Sequence, residues 1–168
     1  MTMKNFKSLL SNITTFVFDV DGVLTNGQLL VTEEGMLLRS MNIKDGYALQ
    51  LAIKKGYEVI IISGANAPGV PLRLKNLGIT KLFFGVQNKL KTLQSIVTPL
   101  QIESHQILCM GDDMPDIGMM EWCGIAACPA DAVAQVTELC IYQSQLAGGM
   151  GCVRDVIEQT LRLHNNWE

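Results

Sequence analysis

Short runs of apolar residues recur along the chain and are separated by segments with a helical pattern. Residues 14–19 and 57–62 are apolar almost throughout instead of alternating, which is typical of strands buried on both faces. Similar patterns predict strands at 81–84, 106–110, 124–127 and 139–142, and helices near 45–55, 67–77, 87–98, 113–121 and 131–137. This order predicts an α/β fold, with a doubly wound, mostly parallel sheet covered by helices on both faces.

One segment interrupts the alternation of strand and helix. Between residues 28 and 41, two short stretches flank Glu33, Glu34 and Gly35, and this pattern predicts a β-hairpin that projects from the sheet. The sequence contains no apparent repeat, low-complexity tract or linker. We therefore expect a single domain over residues 1–168.

The composition narrows the class of protein. Apolar residues make up 48% of the chain and charged residues 17%, and the apolar runs are shorter than the ~20 residues that a membrane-spanning helix needs. The N-terminal segment lacks the apolar core of a secretory signal, so we expect a cytoplasmic protein that makes no membrane contact. A net charge of -3 without a basic cluster argues against a nucleic-acid partner.

Polar residues follow several predicted strands. Asp19, Ser63 and the loop over residues 111–116 each begin where a predicted strand ends, and Lys89 lies in the first turn of a helix after another strand. In open α/β sheets, ligands bind beyond the carboxyl ends of the strands. The four segments are therefore expected to build one site.

The first of these segments carries two carboxylates, Asp19 and Asp21. Side chains two positions apart on an extended backbone point to the same side, so both can face one ligand. An EF-hand calcium loop would need an oxygen ligand, a glycine and a glutamate where Val23, Leu24 and Leu30 stand. Helix capping would explain one aspartate but not two.

The loop GDDMPD at residues 111–116 carries three more carboxylates. Asp113 could cap a helix that has a proline in its first turn, but capping does not account for Asp112 and Asp116 as well. Mg²⁺ prefers one or two carboxylates together with water and phosphate oxygens. Asp19 and Asp112 would supply that pair.

The other two segments suit a phosphate group. Lys89 would neutralise its charge, and Ser63 and the amide of Gly64 would donate hydrogen bonds to its oxygens. Taken singly, Lys89 is better interpreted as a solvated surface lysine and Ser63 as an ordinary turn residue. Together with the carboxylates they predict phosphoryl transfer, in which Asp19 attacks phosphorus while Asp21 serves first as acid and then as base.

The order of these motifs resembles that of the haloacid dehalogenase superfamily of phosphatases over nearly the whole chain. The resemblance implies a Mg²⁺-dependent enzyme with no cap domain. It assigns Asp19 as nucleophile, Asp21 as acid/base whose carbonyl also binds the metal, and Asp112 as a further metal ligand. It also assigns Ser63, Gly64 and Lys89 to phosphate binding, and Asp113 and Asp116 to supporting roles through water or hydrogen bonds.

Residues 41–50, 88–90 and 147–155 resemble a capless subgroup that hydrolyses the phosphate of a 3-deoxy-2-keto sugar acid for cell-surface saccharide synthesis. That resemblance implies a homotetramer in which the hairpins build a barrel and neighbouring subunits cover each site. It also implies that the glycine-rich segment closes over the substrate, with a flexible loop that caps the last helix as the alternative. The candidate substrate residues are Lys44, Asp45, Ala65, Asn66, Gly149 and Arg154.

Two positions depart from this subgroup. Ala65 stands where an arginine generally follows Ser-Gly, and Lys44 precedes Asp45 where arginine is common. Arginine grips a carboxylate with two hydrogen bonds and alanine with none. We therefore expect intact phosphoryl-transfer residues and altered recognition of the sugar acid.

Three alternatives accompany this reading. A nine-carbon sugar acid 9-phosphate or another small phosphorylated metabolite would suit the same mechanism. A receiver domain also combines a phosphorylatable aspartate with a hydroxyl residue and a lysine, but its acidic pair comes early and its phosphoacceptor in mid-chain, the reverse of the order here. A catalytically idle scaffold is disfavoured because every charged group of the motifs is retained.

Overall fold

The protein is described by a computed structural model over residues 6–168. The strands are β1 (Thr15–Phe18), β2 (Leu30–Val31), β3 (Leu37–Leu38), β4 (Glu58–Ile62), β5 (Lys81–Phe83), β6 (Ile107–Met110), β7 (Ile125–Cys128) and β8 (Tyr142–Gln143). The helices are α1 (Phe6–Leu10), α2 (Ile43–Lys54), α3 (Gly69–Asn76), α4 (Lys89–Val97), α5 (Ile117–Trp122), α6 (Ala134–Leu139) and α7 (Cys152–Leu163). Residues 1–5 lie outside this description. They include the start of the expected single domain and of the N-terminal segment that lacks the apolar core of a secretory signal.

Six of the strands form one parallel sheet in the order β5-β4-β1-β6-β7-β8. At its centre, Phe18 of β1 is paired with Ile61 of β4 on one side and with Met110 of β6 on the other. The chain leaves β1 to build one half of the sheet and later crosses β1 to build the other half. This arrangement confirms the predicted doubly wound sheet and makes the end of β1 its switch point.

Each face of the sheet carries its own apolar core. Phe16 and Phe18 of β1 point to the face covered by α2 and α7, whereas Val17 points to the face covered by α4 and α5. All three side chains are fully buried. Burial on both faces explains why the strands read as continuous apolar runs, and it holds the end of β1 in place from two sides.

The predicted hairpin is present as β2 and β3, which pair antiparallel with Leu30 opposite Leu38. An antiparallel bridge between Thr25 and Met41 closes its base. The hairpin is unusual because six of its large apolar side chains are exposed: Leu29, Leu30, Val31, Met36, Leu37 and Leu38. Within residues 6–168, the hairpin and α2 are the elements between the turn after β1 and strand β4, which leaves no cap domain there.

The last strand differs from its prediction over residues 139–142. Helix α6 continues to Leu139, and β8 contains only Tyr142 and Gln143. Leu139 and Cys140 pack against the second apolar core from the end of this helix, so their apolar character does not come from strand burial. None of the helices over residues 6–168 is long and apolar enough to cross a membrane.

Candidate active site

The ends of the parallel strands place two of the predicted residues at one edge of the sheet. Asp19 directly follows β1, and its backbone N–H donates to the Met110 carbonyl at 3.1 Å. Ser63 directly follows β4, and its N–H donates to Phe83 at 2.8 Å. Both side chains are buried. These backbone bonds fix the two residues on neighbouring strands with little freedom to move.

Lys89 joins this group from the start of helix α4. Its Nζ lies 2.7 Å from Oδ1 of Asp19 and 2.7 Å from Oδ1 of Asp116, and the side chain is buried. Burial acts to lower the pKa of Lys89, but the two carboxylates outweigh this effect and raise it. Lys89 is therefore a fixed ammonium group between two acidic residues.

Three carboxylates gather around this ammonium. Asp19, Asp112 and Asp116 each present an oxygen within 4.8 Å of the others. Burial, followed by the charge of Asp116, raises the pKa of Asp19 to about 6 despite the opposing effect of Lys89. Burial, followed by the charges of Asp19 and Asp116, raises the pKa of Asp112 to about 7. Three acidic groups with one lysine leave an excess of negative charge in a partly dry site.

This donor set fits Mg²⁺. Hard divalent cations prefer carboxylate oxygens, and a bound cation would offset the excess negative charge. The Oδ1 atom of Asp112 is buried and has no hydrogen-bond partner among the described residues. A buried acceptor without a partner is costly, so Asp112 is suited to ligating a metal together with Asp19.

The turn Val20–Leu24 approaches Asp112 closely because it contains Gly22. Gly22 has φ of 91°, and a Cβ atom there would lie 2.0 Å from Oδ2 of Asp112. Only glycine permits both this backbone conformation and this approach. The same turn holds Asp21, so the sequence Asp-Gly positions this second aspartate while leaving space for the carboxylate of Asp112.

Asp21 itself points to a partner that the sequence did not reveal. Arg39, directly after β3, donates from Nε to Oδ1 of Asp21 at 2.6 Å and from a terminal nitrogen to Oδ2 at 3.0 Å. Only 6% of the Arg39 side chain is exposed, against 35% for Asp21. The available signal was a single cation at the end of an otherwise apolar hairpin strand, which does not by itself indicate a partner.

The acidic loop after β6 divides its carboxylates between two roles. Asp116 is buried, and besides Lys89 it accepts from the backbone N–H of Asp112 at 3.2 Å and of Asp113 at 3.4 Å. Asp113 is exposed and accepts from the N–H of Met114 at 2.7 Å, which caps the short turn Met114–Asp116. Of the two, only Asp116 contacts the buried ammonium.

The segment after β4 provides hydrogen-bond donors. Oγ of Ser63 accepts from the N–H of Ala65 at 3.2 Å, which leaves its hydroxyl hydrogen free to donate elsewhere. Gly64 is exposed, and Asn66 lines a cavity of about 740 Å³. The hairpin residues 36–39 and Arg73 line the same cavity, so its cations are Arg39 and Arg73.

Four of the predicted substrate residues lie elsewhere in this chain. Lys44 and Arg154 line a second groove, of about 600 Å³, along α7. Asp45 is buried beneath that helix and accepts from the N–H of Arg154 at 2.7 Å. Gly149 donates its N–H to Val23 at 2.9 Å.

The glycine-rich segment is packed on the turn of its own chain that carries Asp21. A Cβ atom on Gly148 would lie 1.9 Å from the carbonyl oxygen of Gly22. The N–H of Gly148 donates to Asp131 at 2.9 Å. The backbone of this segment therefore packs directly against the backbone of the turn and supports it.

Comparison with known proteins gives consistent results. Residues 84–148 match the model of the haloacid dehalogenase-like hydrolases. The 3-deoxy-D-manno-octulosonate 8-phosphate phosphatase KdsC of Escherichia coli K12 is 36% identical over 150 residues, which are 89% of this chain and 80% of that protein. KdsC of Yersinia pestis is 32% identical over 158 residues, which are 94% of this chain and 84% of that protein.

Solved structures extend the similarity to the whole fold. The crystal structure of 3-deoxy-D-manno-octulosonate 8-phosphate phosphatase from Yersinia pestis has a TM-score of 0.94 at 30% identity, covering 98% of this chain and 89% of that one. The Moraxella catarrhalis enzyme, in complex with magnesium, phosphate and KDO, has a TM-score of 0.92 at 31% identity, covering 96% of this chain and 92% of that one.

The switch-point aspartate, its lysine and the acidic loop are the parts that a metal-dependent phosphatase of the haloacid dehalogenase class requires. The similarity to the relatives runs through both halves of the sheet and is not confined to these motifs. The chain belongs to the family of 3-deoxy-D-manno-octulosonate 8-phosphate phosphatases.

Proposed function

We propose that this chain hydrolyses 3-deoxy-D-manno-octulosonate 8-phosphate through an aspartyl phosphate formed on Asp19. The observation that carries the proposal is the position of Asp19, which lies at the switch point of the sheet with Lys89 at 2.7 Å and Asp112 beside it. The names of the relatives support the substrate, as does the Moraxella catarrhalis complex with magnesium, phosphate and KDO.

The reaction has two chemical steps. A carboxylate oxygen of Asp19 attacks phosphorus, the bond between phosphorus and the sugar oxygen breaks, and Asp21 gives its proton to that oxygen. Asp21 then takes a proton from a water molecule that attacks the same phosphorus, which releases inorganic phosphate and restores the Asp19 carboxylate. Acid and base are thus one residue.

The remaining groups bind the phosphoryl oxygens. Lys89 supplies a positive charge that Asp19 and Asp116 already hold in place, so little reorganisation is needed when phosphate enters. Ser63 and the amide of Gly64 supply donors. Mg²⁺, held by Asp19, Asp112 and the carbonyl of Asp21, would neutralise the charge that keeps phosphate away from a carboxylate nucleophile.

The cavity beside the hairpin suits an anionic leaving group. Ala65 offers no cation and Arg39 is already paired with Asp21, but Arg73 lines this cavity together with Asn66. A sugar acid that enters from this side would meet positive charge in spite of the alanine. A nine-carbon sugar acid 9-phosphate carries the same carboxylate and is the second candidate substrate.

Assembly belongs to this proposal as well. The six exposed apolar side chains of the hairpin suit a subunit interface, and we propose a homotetramer in which hairpins pack together. In this assembly, a neighbouring subunit would supply the remaining candidate substrate residues, Lys44, Asp45, Gly149 and Arg154. Light scattering tests the assembly, and a monomer at micromolar concentration would contradict it.

We place the enzyme in the cytoplasm, since five free cysteines fit a reducing compartment.

The activity is tested by phosphate release from a panel of sugar phosphates with Mg²⁺ and then with EDTA. We expect release from 3-deoxy-D-manno-octulosonate 8-phosphate that stops when the metal is removed. Asp19→Asn should lower kcat at least about a thousandfold while keeping the fold, because the amide has nearly the same shape as the carboxylate but is not a nucleophile. Near-normal activity of this variant would contradict the role of Asp19. Metal-dependent release spread evenly over the panel would keep the mechanism and reject the substrate.

A further inference from the structure

Asp21 is held almost entirely by one residue of the hairpin. Both of its carboxylate oxygens accept from the Arg39 guanidinium, at 2.6 Å and 3.0 Å. The other side-chain partner of Asp21 among residues 6–168 is Oγ1 of Thr25, at a marginal 3.5 Å. Without Arg39, this long bond from Thr25 would be the one side-chain contact left to fix the direction of the carboxylate among residues 6–168.

The pair has the geometry of a rigid fork. A guanidinium that bonds a carboxylate through two nitrogens sets the plane of the carboxylate as well as its distance, which a single hydrogen bond does not. Arg39 is itself restrained, because only 6% of its side chain is exposed and a second terminal nitrogen donates to the Leu37 carbonyl at 3.4 Å. The hairpin therefore controls how Asp21 is presented.

We infer that Arg39 is a positioning residue for the acid/base Asp21 and acts mainly on the proton transfer to the leaving oxygen. The inference rests on the proposed function of the site. Arg39 touches neither Asp19 nor Lys89 through any hydrogen bond among the described residues. Its loss should impair the step in which Asp21 protonates the leaving oxygen much more than the attack by Asp19.

The leaving group separates these effects. The alkoxide of a sugar leaves only if it is protonated, whereas p-nitrophenolate leaves without a proton. The value of kcat/KM reports steps up to formation of the aspartyl phosphate, so for p-nitrophenyl phosphate it does not depend on the acid role of Asp21. The kcat for p-nitrophenyl phosphate still depends on the later step, in which Asp21 activates water.

We would measure both esters with Arg39→Met and Arg39→Lys in the Mg²⁺-loaded enzyme. For Arg39→Met we expect kcat/KM to fall about a hundredfold on the sugar phosphate and less than about tenfold on p-nitrophenyl phosphate. The aryl ester should also show a burst of p-nitrophenolate equal to the enzyme concentration. Arg39→Lys keeps the charge but not the fork, so its loss on the sugar phosphate should be intermediate.

Lys81→Met is the matched control. Lys81 forms an ion pair of the same length, 2.6 Å, with Glu58 at the opposite edge of the sheet, and its loss should leave the ratio of the two esters unchanged. Equal losses on both esters without a burst, or no loss on either, would overturn the inference. Should Arg39→Met fail to fold, Arg39→Lys carries the same comparison.

Failure of this inference is distinct from failure of the proposed function. The comparison uses the best alkyl phosphate of the wild-type panel, so a different physiological substrate would leave it intact. A wild-type enzyme that releases phosphate from no ester with Mg²⁺ would instead reject the phosphatase assignment and the role of Arg39 with it.

Discussion

Lys89 and Asp19 form a buried ion pair at the centre of the site, with Nζ of the lysine 2.7 Å from Oδ1 of the aspartate. The lysine also binds Asp116 at the same distance, so a single ammonium bridges the proposed nucleophile and a second buried carboxylate. Charges removed from water must be satisfied within the protein. Loss of one partner would leave the other charge buried and unpaired, so it should destabilise the folded chain.

Removal of this ammonium should damage stability and catalysis together. Lys89→Met leaves two buried carboxylates without their cation, and we expect the free energy of unfolding in EDTA to fall by about 3 kcal/mol. Mg²⁺ should recover part of the stability but not the activity, because the metal cannot occupy the position of the lysine. Denaturant unfolding and phosphate release measure the two effects. Lys91→Met, on the exposed face of the same helix, is the control, and equal stability of the two variants would contradict the prediction.

Substitutions at Asp113 and Asp116 of the acidic loop should have very different effects on activity. Asp116→Asn loses a charge that pairs with Lys89, whereas Asp113→Asn changes an exposed cap on a short turn. We expect kcat to fall at least about a hundredfold for the first variant and less than about fivefold for the second. Steady-state kinetics at saturating Mg²⁺ decide the matter. Similar losses for both variants would mean that Asp113 also acts on the site.

Binding of Mg²⁺ should weaken as the pH falls. The pKa of Asp19 is raised to about 6 and that of Asp112 to about 7, so in the metal-free protein both carboxylates take up protons as the pH drops from 8 to 5.5. The metal binds the ionised forms and must displace these protons. Calorimetry in buffers of different ionisation enthalpy should detect proton release near pH 6.5 and little at pH 8.5. An affinity independent of pH over this range would contradict the shifts.

Asp45 should make folding less favourable at neutral pH. Burial raises its pKa to about 6, against the opposing hydrogen bonds from the Arg154 and Gly151 backbone. A carboxyl group whose pKa is higher in the folded state stabilises that state when protonated, so stability is lost as the pH rises from about 4 to above 6. Asp45→Asn keeps an oxygen that accepts hydrogen bonds but no longer titrates, so it removes this pH dependence. In the wild type, the free energy of unfolding should fall by about 3 kcal/mol at most over this pH range. Urea unfolding in EDTA from pH 4.5 to 7.5 tests it, and parallel curves for variant and wild type would count against it.

Gly148→Ala should destabilise the chain. The added methyl group would lie 1.9 Å from the carbonyl of Gly22, and the obstacle is backbone that cannot rotate away. We expect a loss of about 1–3 kcal/mol or more, together with lower activity because the displaced turn carries Asp21. Gly118→Ala is the matched control, since its methyl group would meet Leu90 at 3.8 Å inside a helix. If thermal unfolding shows no difference between the two variants, the glycine segment does not support the turn.

Much of this site is visible in the sequence because of where strands end. Asp19, Ser63 and Asp112 follow apolar runs whose burial can be recognised locally, and parallel strands bring their ends to one edge. Arg39 could not be found in this way, because its pairing with Asp21 depends on how the hairpin folds back over the turn. Nor could the sequence separate Asp113 from Asp116, since the rotation of one short turn decides which carboxylate points inward.

The sheet divides the interior of this protein into two compartments that do not share side chains. Val17 belongs to one and Phe18 to the other, although they are consecutive residues. Substitutions in separate compartments should change stability additively, whereas substitutions within one should couple. A destabilising substitution in one compartment should therefore be compensated by a second substitution in the same compartment. Asp19, the proposed nucleophile, follows Phe18 and depends on the packing of both compartments. Substitutions in either one should therefore lower activity before they unfold the chain.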